Sequence, residues 1–312
     1  MDIGCPAPIA LFAYRRADHL AKTLDALELC PEFSRSPVFV FSDGPKNAAA
    51  SADVEAVRAL LRGRKRTNMT VVEAASNQGL ANSIITGVSR LCDQYGRVIV
   101  IEDDLVLTPL ALTWMNAALD RFADEERVYQ VSAYQWWNPR LRNRRKGLFG
   151  RLAVSWGWGT WKRAWDQFDP DATGAEKLET DPSLRRAFDM DGSFPLSEMM
   201  LLQSRGLIDS WAIRWAWSVF RNNGLVVFPP QSLVRNIGFD ETATHNSIGR
   251  LKALITPSPV IWDGPEIPEL PDLSLHETTD ERTFEYGLRR SGATRNRQIV
   301  AVLRSLGLWR KN

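Results

Sequence analysis

The sequence contains few cysteines and histidines, and this scarcity limits the metal and redox chemistry open to it. Three cysteines (Cys5, Cys30 and Cys92) and three histidines are spread over 312 residues, without a CxxC pair or a tight Cys/His cluster. A structural zinc site is therefore not expected, because such sites need grouped sulfur and nitrogen ligands. An odd number of widely spaced cysteines favours reduced, partly buried thiols over a disulfide framework.

Long apolar runs and a strong excess of charge are also lacking. No run of roughly 18 apolar residues, as a membrane-spanning helix needs, occurs in the sequence. Its first residues lack the basic and apolar regions of a signal peptide. We therefore expect a cytoplasmic protein, with peripheral contact to the cytoplasmic membrane face as a further option. The net charge is only +2, which argues against nucleic acid as the main partner.

The first hundred or so residues alternate between short apolar runs and stretches with helical spacing. The apolar runs are 8–14, 38–41, 69–72 and 98–101, and the helical stretches are 18–29, 51–61 with Ser51 as cap, and 79–91. Continuously apolar strands that alternate with helices are typical of a parallel sheet covered on both faces. We predict an α/β fold with a doubly wound, mostly parallel sheet.

Known phosphate-binding motifs are missing, so the ligand site has to be sought from the topology. Neither GxGxxG after the first strand nor GxxxxGK[ST] occurs, which excludes the usual dinucleotide and P-loop sites. In open α/β sheets, ligands bind beyond the carboxyl ends of the strands. The residues expected there are Tyr14, Arg15 and Arg16 after the first strand, Asp43 after the second, Asn77 and Gly79 after the third, and Glu102, Asp103 and Asp104 after the fourth.

Three consecutive carboxylates, Glu102 to Asp104, are the most informative feature of this set. Adjacent carboxylates repel one another unless a cation or hydrogen-bond donors compensate them. An acidic turn ahead of a helix that starts near Thr108 and Pro109 is the structural alternative. Because the triplet ends a buried strand, we favour a site for Mn²⁺ or Mg²⁺, which bind one or two carboxylates together with substrate phosphates.

This order of residues resembles the GT-A-fold glycosyltransferases, which use nucleotide sugars. The likeness is to the inverting N-acetylglucosaminyltransferase I family, the enzymes of the first Golgi branching step, and to bacterial family-2-like sugar transferases. It rests on residues 13–16, on Asp43 and on the EDDL motif at 102–105. It covers residues 7–120 well and 150–250 loosely. The resemblance implies a GT-A-type fold with a donor-binding half and an acceptor-binding half.

The resemblance also implies roles for single residues. Asp43 would bind the uracil edge, and Arg16 would lie near the nucleotide or its diphosphate. Asp103 would approach the ribose or the sugar, while Asp104 would ligate the metal. The remaining residues expected to bind the donor are Tyr14, Arg15, Asn77, Gly79 and Glu102.

Two carboxylates in the second half are candidates for the catalytic base. Asp209, two residues before Trp211, resembles the family's base segment, although Ser210 stands where the family has a second carboxylate. Glu198 is the rival base, because it also follows a proline-containing loop at the start of a helix. Residues 236–239 and His245 resemble a loop that closes over the donor. His245 would ligate the metal or contact the diphosphate, or else simply bind backbone in a loop.

The expected function is a metal-dependent inverting glycosyltransferase. It would move a sugar from a nucleotide-diphosphate donor, a UDP-sugar such as UDP-GlcNAc, to a hydroxyl of a glycan or lipid-linked glycan. A single base opposite the leaving group gives one in-line displacement, hence inversion. The alternatives are a sugar-nucleotide nucleotidyltransferase, although residues 14–18 lack the glycines of its loop, and a catalytically silent sugar-binding protein.

The rest of the chain suggests boundaries and two basic surfaces. We expect a nucleotide-sugar-binding half at 1–120, an acceptor-binding half at 121–262, and a linker with a basic C-terminal helix at 263–312. Nine of the twelve tryptophans lie in 136–217, where core packing is favoured over stacking on sugars. The basic run 140–146 is expected to be a solvated loop or an active-site flap. Residues 287–312 form either a membrane-binding amphipathic helix or a helix docked on the protein itself.

Overall fold

A computed structural model describes residues 5–238, 258–273 and 278–290. Their main feature is an eight-stranded sheet, ordered β3-β2-β1-β4-β8-β6-β9-β7, beside a two-stranded sheet of β5 and β10. The strands are β1 Ile9–Ala13, β2 Val38–Ser42, β3 Met69–Glu73, β4 Arg97–Glu102, β5 Leu105–Leu107, β6 Val128–Ser132, β7 Leu148–Gly150, β8 Trp158–Trp161, β9 Leu225–Phe228 and β10 Val234–Asn236.

Six of the eight strands in the large sheet run in one direction. Strands β3, β2, β1 and β4 are mutually parallel, β8 is antiparallel to both β4 and β6, β9 is parallel to β6, and β7 reverses again. The predicted doubly wound, mostly parallel α/β sheet is therefore confirmed. The chain moves outward from β1 through β2 to β3 and then returns to β4 on the other side of β1. This places the topological switch point between β1 and β4.

In the described part of the chain, eight helices lie between these strands and a ninth follows the last of them. They are α1 Ala17–Glu28, α2 Ser51–Gly63, α3 Leu80–Tyr95, α4 Ala111–Arg121, α5 Lys162–Trp165, α6 Pro182–Phe188, α7 Leu196–Ser204, α8 Trp211–Arg221 and α9 Thr278–Arg290. Helices α1 and α2 pack against each other, whereas α3 packs against α5 and α8. None of the helices in the described ranges is long and apolar enough to cross a membrane.

The first four strands lie where the apolar runs predict them. The side chains of β1, β2 and β4 form the core, whereas β3, at the edge of the sheet, fully buries only Met69. All five residues of β1 and the central residues of β4 are buried. The prediction that Ser51 caps α2 is wrong: Ser51 is the first residue of the helix. The side chain of Asn47 instead accepts a hydrogen bond from the Ala50 amide in the preceding short 3₁₀ turn. Cys30 and Cys92 are buried free thiols, as expected, and Cys5 is exposed.

The tryptophans of the second half are mostly core residues, as the sequence favours. The Trp158 and Trp211 rings are stacked with centroids 5.1 Å apart, and Trp165 lies 5.1 Å from Trp215. Trp215 also donates from Nε1 to Oε1 of the buried Gln130 at 2.7 Å. Trp158, on which Trp211 stacks, pairs with Ser132 at the carboxyl end of β6, whereas Gln130, bound by Trp215, is in its middle. Helix α8 therefore begins at the carboxyl edge of the sheet.

The basic run 140–146 is largely exposed, as expected, and two of its arginines also contact α9. Arg144 forms an ion pair with Asp280 at 2.8 Å, and the Arg140 guanidinium lies 3.8 Å from the centre of the Tyr286 ring. Opposite charge and ring stacking account for this docking, and both depend on partners about 140 residues away in sequence. Residues 263–272, expected as an extended linker, also contact the rest of the protein, with a β-bridge between Lys146 and Glu269.

Candidate functional site

One arginine holds two of the three consecutive carboxylates at the carboxyl ends of β1 and β4. Nη2 of Arg16 donates to Oδ1 of Asp103 at 3.1 Å and to Oδ2 of Asp104 at 2.6 Å. The three side chains are only 16%, 9% and 13% exposed, respectively. Arg16 follows β1 and the carboxylates end β4, so the fold brings together residues almost 90 positions apart. They meet at the topological switch point, where open α/β sheets bind ligands.

Backbone groups fix the two carboxylate-bearing residues. The Tyr14 amide donates to Oδ2 of Asp103 at 3.2 Å, and Thr23 Oγ1 donates to the Asp103 carbonyl at 2.9 Å. The Asp104 carbonyl accepts from the amide of Ile237 at 2.9 Å. Thr23 is a site residue that the sequence did not predict, and only its position on the buried face of α1 could have suggested it.

A glycine from the end of the second half closes over the same site. Nη1 of Arg16 donates to the Gly238 carbonyl at 3.4 Å. A Cβ at Gly238 would lie 2.0 Å from Oδ2 of Asp104, so a side chain there would displace the carboxylate. Residues 236–238 therefore lie at the expected donor site. The rest of that predicted loop, including His245, lies outside the described residues.

The crowding of charges changes the acidity of the triplet. Burial raises the pKa of Asp103 to about 6, although Arg16 opposes this shift. Burial and the two neighbouring carboxylates also raise the pKa of Glu102 well above its usual value. Burial works against the charge of Arg16, but Asp103 and Asp104 outweigh it and raise the pKa of the guanidinium. The charge of Arg16 thus opposes the rise in the pKa of Asp103 and of Glu102.

Asp43 organises a loop beside this site. Its Oδ1 accepts from the amides of Gly44 and Gln78, both at 2.8 Å, and its Oδ2 accepts from Asn77 Nδ2 at 2.9 Å and the Gly79 amide at 3.0 Å. Gly79 has a φ of 77°, which favours glycine, and it precedes α3. The structure thus brings Asp43, Asn77 and Gly79 together. Contact of Asp43 with a uracil edge stays a prediction.

Tyr14 links this loop to the arginine pair. Its hydroxyl accepts from the Lys46 amide at 3.1 Å, and the Arg15 guanidinium lies 5.9 Å from the centre of its ring. Tyr14 and Arg15 are partly exposed. The ends of β1, β2 and β4 and the loop before α3 therefore form one continuous edge, with Arg16 and its two carboxylate partners at its centre.

The two candidate bases lie in exposed positions on the helical layer. Asp209 directly precedes the Ser210 cap of α8, at the carboxyl edge of the sheet, and pairs with Nη2 of Arg214 at 2.7 Å. Its side chain is 67% exposed. Glu198 is exposed in the first turn of α7. Its role as a base, like that of Asp209, stays a prediction.

The oxygen atoms around Arg16 fit a divalent cation chemically. Carboxylate oxygens of Asp103 and Asp104 and the Gly238 carbonyl converge on one guanidinium, so a cation is already required there. Hard oxygen ligands suit Mg²⁺ or Mn²⁺. In the described ranges, no group of three or more acidic, histidine or cysteine side chains is arranged to hold a metal ion. Two protein carboxylates are nevertheless enough when a substrate diphosphate completes the ligand set.

Comparison with known proteins gives likeness only at the level of structure. No family model matches the sequence, and no curated protein matches it significantly. One similar solved structure is the mannosyltransferase PcManGT from Pyrobaculum calidifontis in complex with GDP-Man and Mn²⁺, with 13% identity, a TM-score of 0.38, and coverage of 70% of this chain and 76% of that one. Another is TarS 1-349 from S. aureus, with 8% identity, a TM-score of 0.44, and coverage of 74% and 60%.

Proposed function

We propose that this chain is a glycosyltransferase that moves a sugar from a nucleotide-diphosphate donor to a glycan or glycolipid hydroxyl. The arrangement of β2, β1 and β4 carries the proposal, because these adjacent parallel strands end at Asp43, at 14–16 and at 102–104. A guanidinium set among carboxylates at a switch point suits a diphosphate that arrives with a divalent cation. The order of these residues is also that of the GT-A enzymes which the sequence resembles.

The donor would lie along this edge of the sheet. The diphosphate is assigned to the Arg16 region, since a guanidinium binds phosphate oxygens through paired N–H groups. The base and ribose are assigned to the loop that Asp43 organises, between Tyr14 and Gly79. UDP-sugars, UDP-GlcNAc among them, are the first donors to test, on the strength of the resemblance alone.

Asp104, with Asp103, would hold Mn²⁺ or Mg²⁺ in the donor complex. When bound, such a cation offsets the charge that the diphosphate leaving group gains as the sugar departs. Arg16 would donate hydrogen bonds to the same leaving group. The Gly238 backbone would cover Asp104 and reduce the access of water, which strengthens these electrostatic interactions.

Asp209 is our choice of base for the acceptor hydroxyl. It lies at the carboxyl edge, next to the N-terminus of α8, and Arg214 fixes the orientation of its carboxylate. A base that acts opposite the leaving group gives a single displacement with inversion. Glu198 remains the rival base, because it is also exposed near the α7–α8 layer.

The second half of the chain, 121–262, is assigned to the acceptor. Trp136 and Trp156 are half-buried and pack edge-on against Tyr134, with centroids 5.4 and 4.6 Å away, respectively. Their remaining exposed surface could stack on a sugar ring. The donor half 1–120, the segment 263–312, a cytoplasmic location and membrane contact through 287–312 remain parts of the proposal. Most of that last segment lies outside the described residues.

A thermal-shift panel of nucleotide sugars tests the proposal. A matching donor at ~100 times its dissociation constant stabilises the fold by about 2.7 kcal/mol. We expect this shift with Mn²⁺ and one donor class, and its loss with a chelator or in Asp104→Asn. A turnover assay then distinguishes the three candidate functions. Release of nucleoside diphosphate from a nucleotide sugar and an acceptor supports the proposal. Release of pyrophosphate from a nucleoside triphosphate and a sugar 1-phosphate supports a nucleotidyltransferase, and binding without turnover in either assay supports a silent sugar-binding protein.

A further inference from the structure

Arg16 fills the place between the carboxylates in which a divalent cation would have to bind. Its Nη2 donates hydrogen bonds to both Asp103 and Asp104, and its Nη1 donates to the Gly238 carbonyl. A guanidinium keeps its proton at any physiological pH, so it does not yield this place by deprotonation. A second cation at the same oxygens would meet the full repulsion of the arginine charge at short range.

The packing around Asp104 leaves little room for both cations. Its Oδ2 has Arg16 Nη2 at 2.6 Å, and a Cβ built on Gly238 would lie 2.0 Å from the same oxygen and 3.1 Å from Arg16 Nη1. The backbone of Asp104 is also fixed by the Ile237 amide. Of the groups around this oxygen, the side chain of Arg16 has the most rotatable bonds and is the one most free to leave.

We infer that Arg16 occupies the cation position between Asp103 and Asp104 and must leave both carboxylates before a divalent cation binds to them. The donor diphosphate displaces Arg16 by binding its guanidinium. The donor part of this inference rests on the proposed function, whereas the competition between Arg16 and the metal does not. The metal and the nucleotide diphosphate then bind cooperatively, and the metal alone binds weakly.

The physical basis is an exchange of ion pairs. Arg16 gives up two carboxylate contacts and gains paired hydrogen bonds to phosphate oxygens, which its planar group suits. The divalent cation takes the carboxylates that Arg16 has released. The backbone of Arg16 stays in place during this exchange, because its carbonyl accepts from the Leu20 amide at 3.0 Å as the N-cap of α1. Coupling of this kind is reciprocal, so metal strengthens nucleotide binding by the factor by which nucleotide strengthens metal binding.

Mn²⁺ binding to the full chain, measured by the electron paramagnetic resonance of free Mn²⁺ with and without UDP, tests the inference. For Arg16→Gln without UDP, we expect Mn²⁺ to bind about tenfold more tightly than to the original protein. With UDP, the original protein should show cooperative binding, and Arg16→Gln should lose most of the coupling. Adding Asp104→Asn to Arg16→Gln should remove the tighter Mn²⁺ binding.

Arg97→Gln is the matched control. It removes the same charge from the opposite end of β4, where Arg97 pairs with Asp120, and should leave Mn²⁺ binding unchanged. Circular dichroism checks that each variant is folded. If Arg16→Gln does not fold, Arg16→Lys replaces it, with an expected Mn²⁺ affinity between those of the original protein and the tenfold gain.

Two outcomes overturn the inference: Mn²⁺ affinity without UDP that is equal in the Arg16 variants and Arg97→Gln, or tight Mn²⁺ binding by the original protein without UDP. A failure of the proposed function looks different. In that case no variant binds UDP, while the Mn²⁺ measurements without nucleotide still decide whether Arg16 competes with the metal.

Discussion

The two halves of the large sheet use their side chains differently. In β3, β2, β1 and β4 the strands are parallel and mostly apolar, and polar groups gather after their carboxyl ends. In the other half, β6 and β9 are parallel to each other and β8 and β7 run the opposite way. Buried polar side chains lie within these strands: Gln130 accepts from Trp215, and Thr160 donates to the Tyr129 carbonyl. The first half thus keeps polar groups available at its carboxyl edge, whereas the second half gains its stability from aromatic packing and buried hydrogen bonds.

The largest expected effect concerns Asp209, the proposed base, which lies in the second half of the chain and would act beside a donor bound by the first half. Asp209→Asn should lower kcat by about 10²–10⁴-fold, since a positioned base contributes that much. The donor Kd should hardly change, and stability should stay close to that of the original protein because the Arg214 pair is exposed on the Asp209 side. Glu198→Gln is the companion variant. If Asp209→Asn keeps full turnover and Glu198→Gln does not, Glu198 is the base.

The aromatic packing is tested by Trp215→Ala. Trp215 is 1% exposed and lies within 6.3 Å of the rings of Trp158, Trp165 and Phe168. Its removal should lower the free energy of unfolding by about 3–5 kcal/mol, measured in urea. Trp137→Ala, at a half-buried tryptophan, should cost clearly less. If Trp215→Ala lost nucleotide binding but kept its stability, the result would contradict the assignment of ligand binding to the first half of the sheet and of aromatic packing to the second.

The loop that Asp43 organises, which we propose binds the base and ribose of the donor, is tested by Asp43→Ala. Four donors lose their acceptor, and hydrogen bonds to a charged group contribute about 1.5–3 kcal/mol each when buried, less at this partly exposed loop. We expect a loss of about 1–3 kcal/mol in stability and a larger proportional loss in UDP affinity, measured by calorimetry. Glu73→Ala is the control at the end of the neighbouring β3, where the carboxylate is 41% exposed. Equal effects of the two substitutions on UDP affinity would remove Asp43 from the donor site.

The smallest expected effect concerns the thiols. Burial raises the pKa of both Cys30 and Cys92 to about 12, so at pH 8 only about one thiol in ten thousand is ionised at either position. Iodoacetamide should therefore modify the exposed Cys5 first, and the other two only after unfolding. Mass spectrometry of the labelled peptides checks this order. Labelling of Cys92 before Cys5 would show that the α3 face opens more readily than its packing indicates.

The sequence predicts the first half of the sheet well because its signals are local. Each of β1 to β4 is a run of apolar residues closed by a polar turn, a pattern typical of strands in a parallel sheet. β8 is harder, since Trp158-Gly159-Thr160-Trp161 has no such run. A Cβ on Gly159 would lie 3.2 Å from the Val98 carbonyl of β4, a tight contact that favours glycine there and that only the fold reveals.

The candidate site is predictable in composition but not in its contacts. The triplet 102–104 and the residues 14–16 could be assigned to one edge of the sheet from topology alone. That Arg16 would bind both Asp103 and Asp104, and that Gly238 would cover them, depends on tertiary packing across separations of 87 to 222 residues. The contacts of Arg140 and Arg144 with α9 could not be predicted for the same reason, because their partners lie about 140 residues away in sequence.

Hydrogen–deuterium exchange with and without UDP and Mn²⁺ tests most directly whether the edge between β1 and β4 binds a nucleotide diphosphate. We expect ligand-dependent protection in the peptides that contain 14–16, 43–47, 76–80 and 102–104, and its loss in Asp104→Asn. Protection confined to the helices between 182 and 221, with none at 102–104, would contradict the assignment of the donor to this edge.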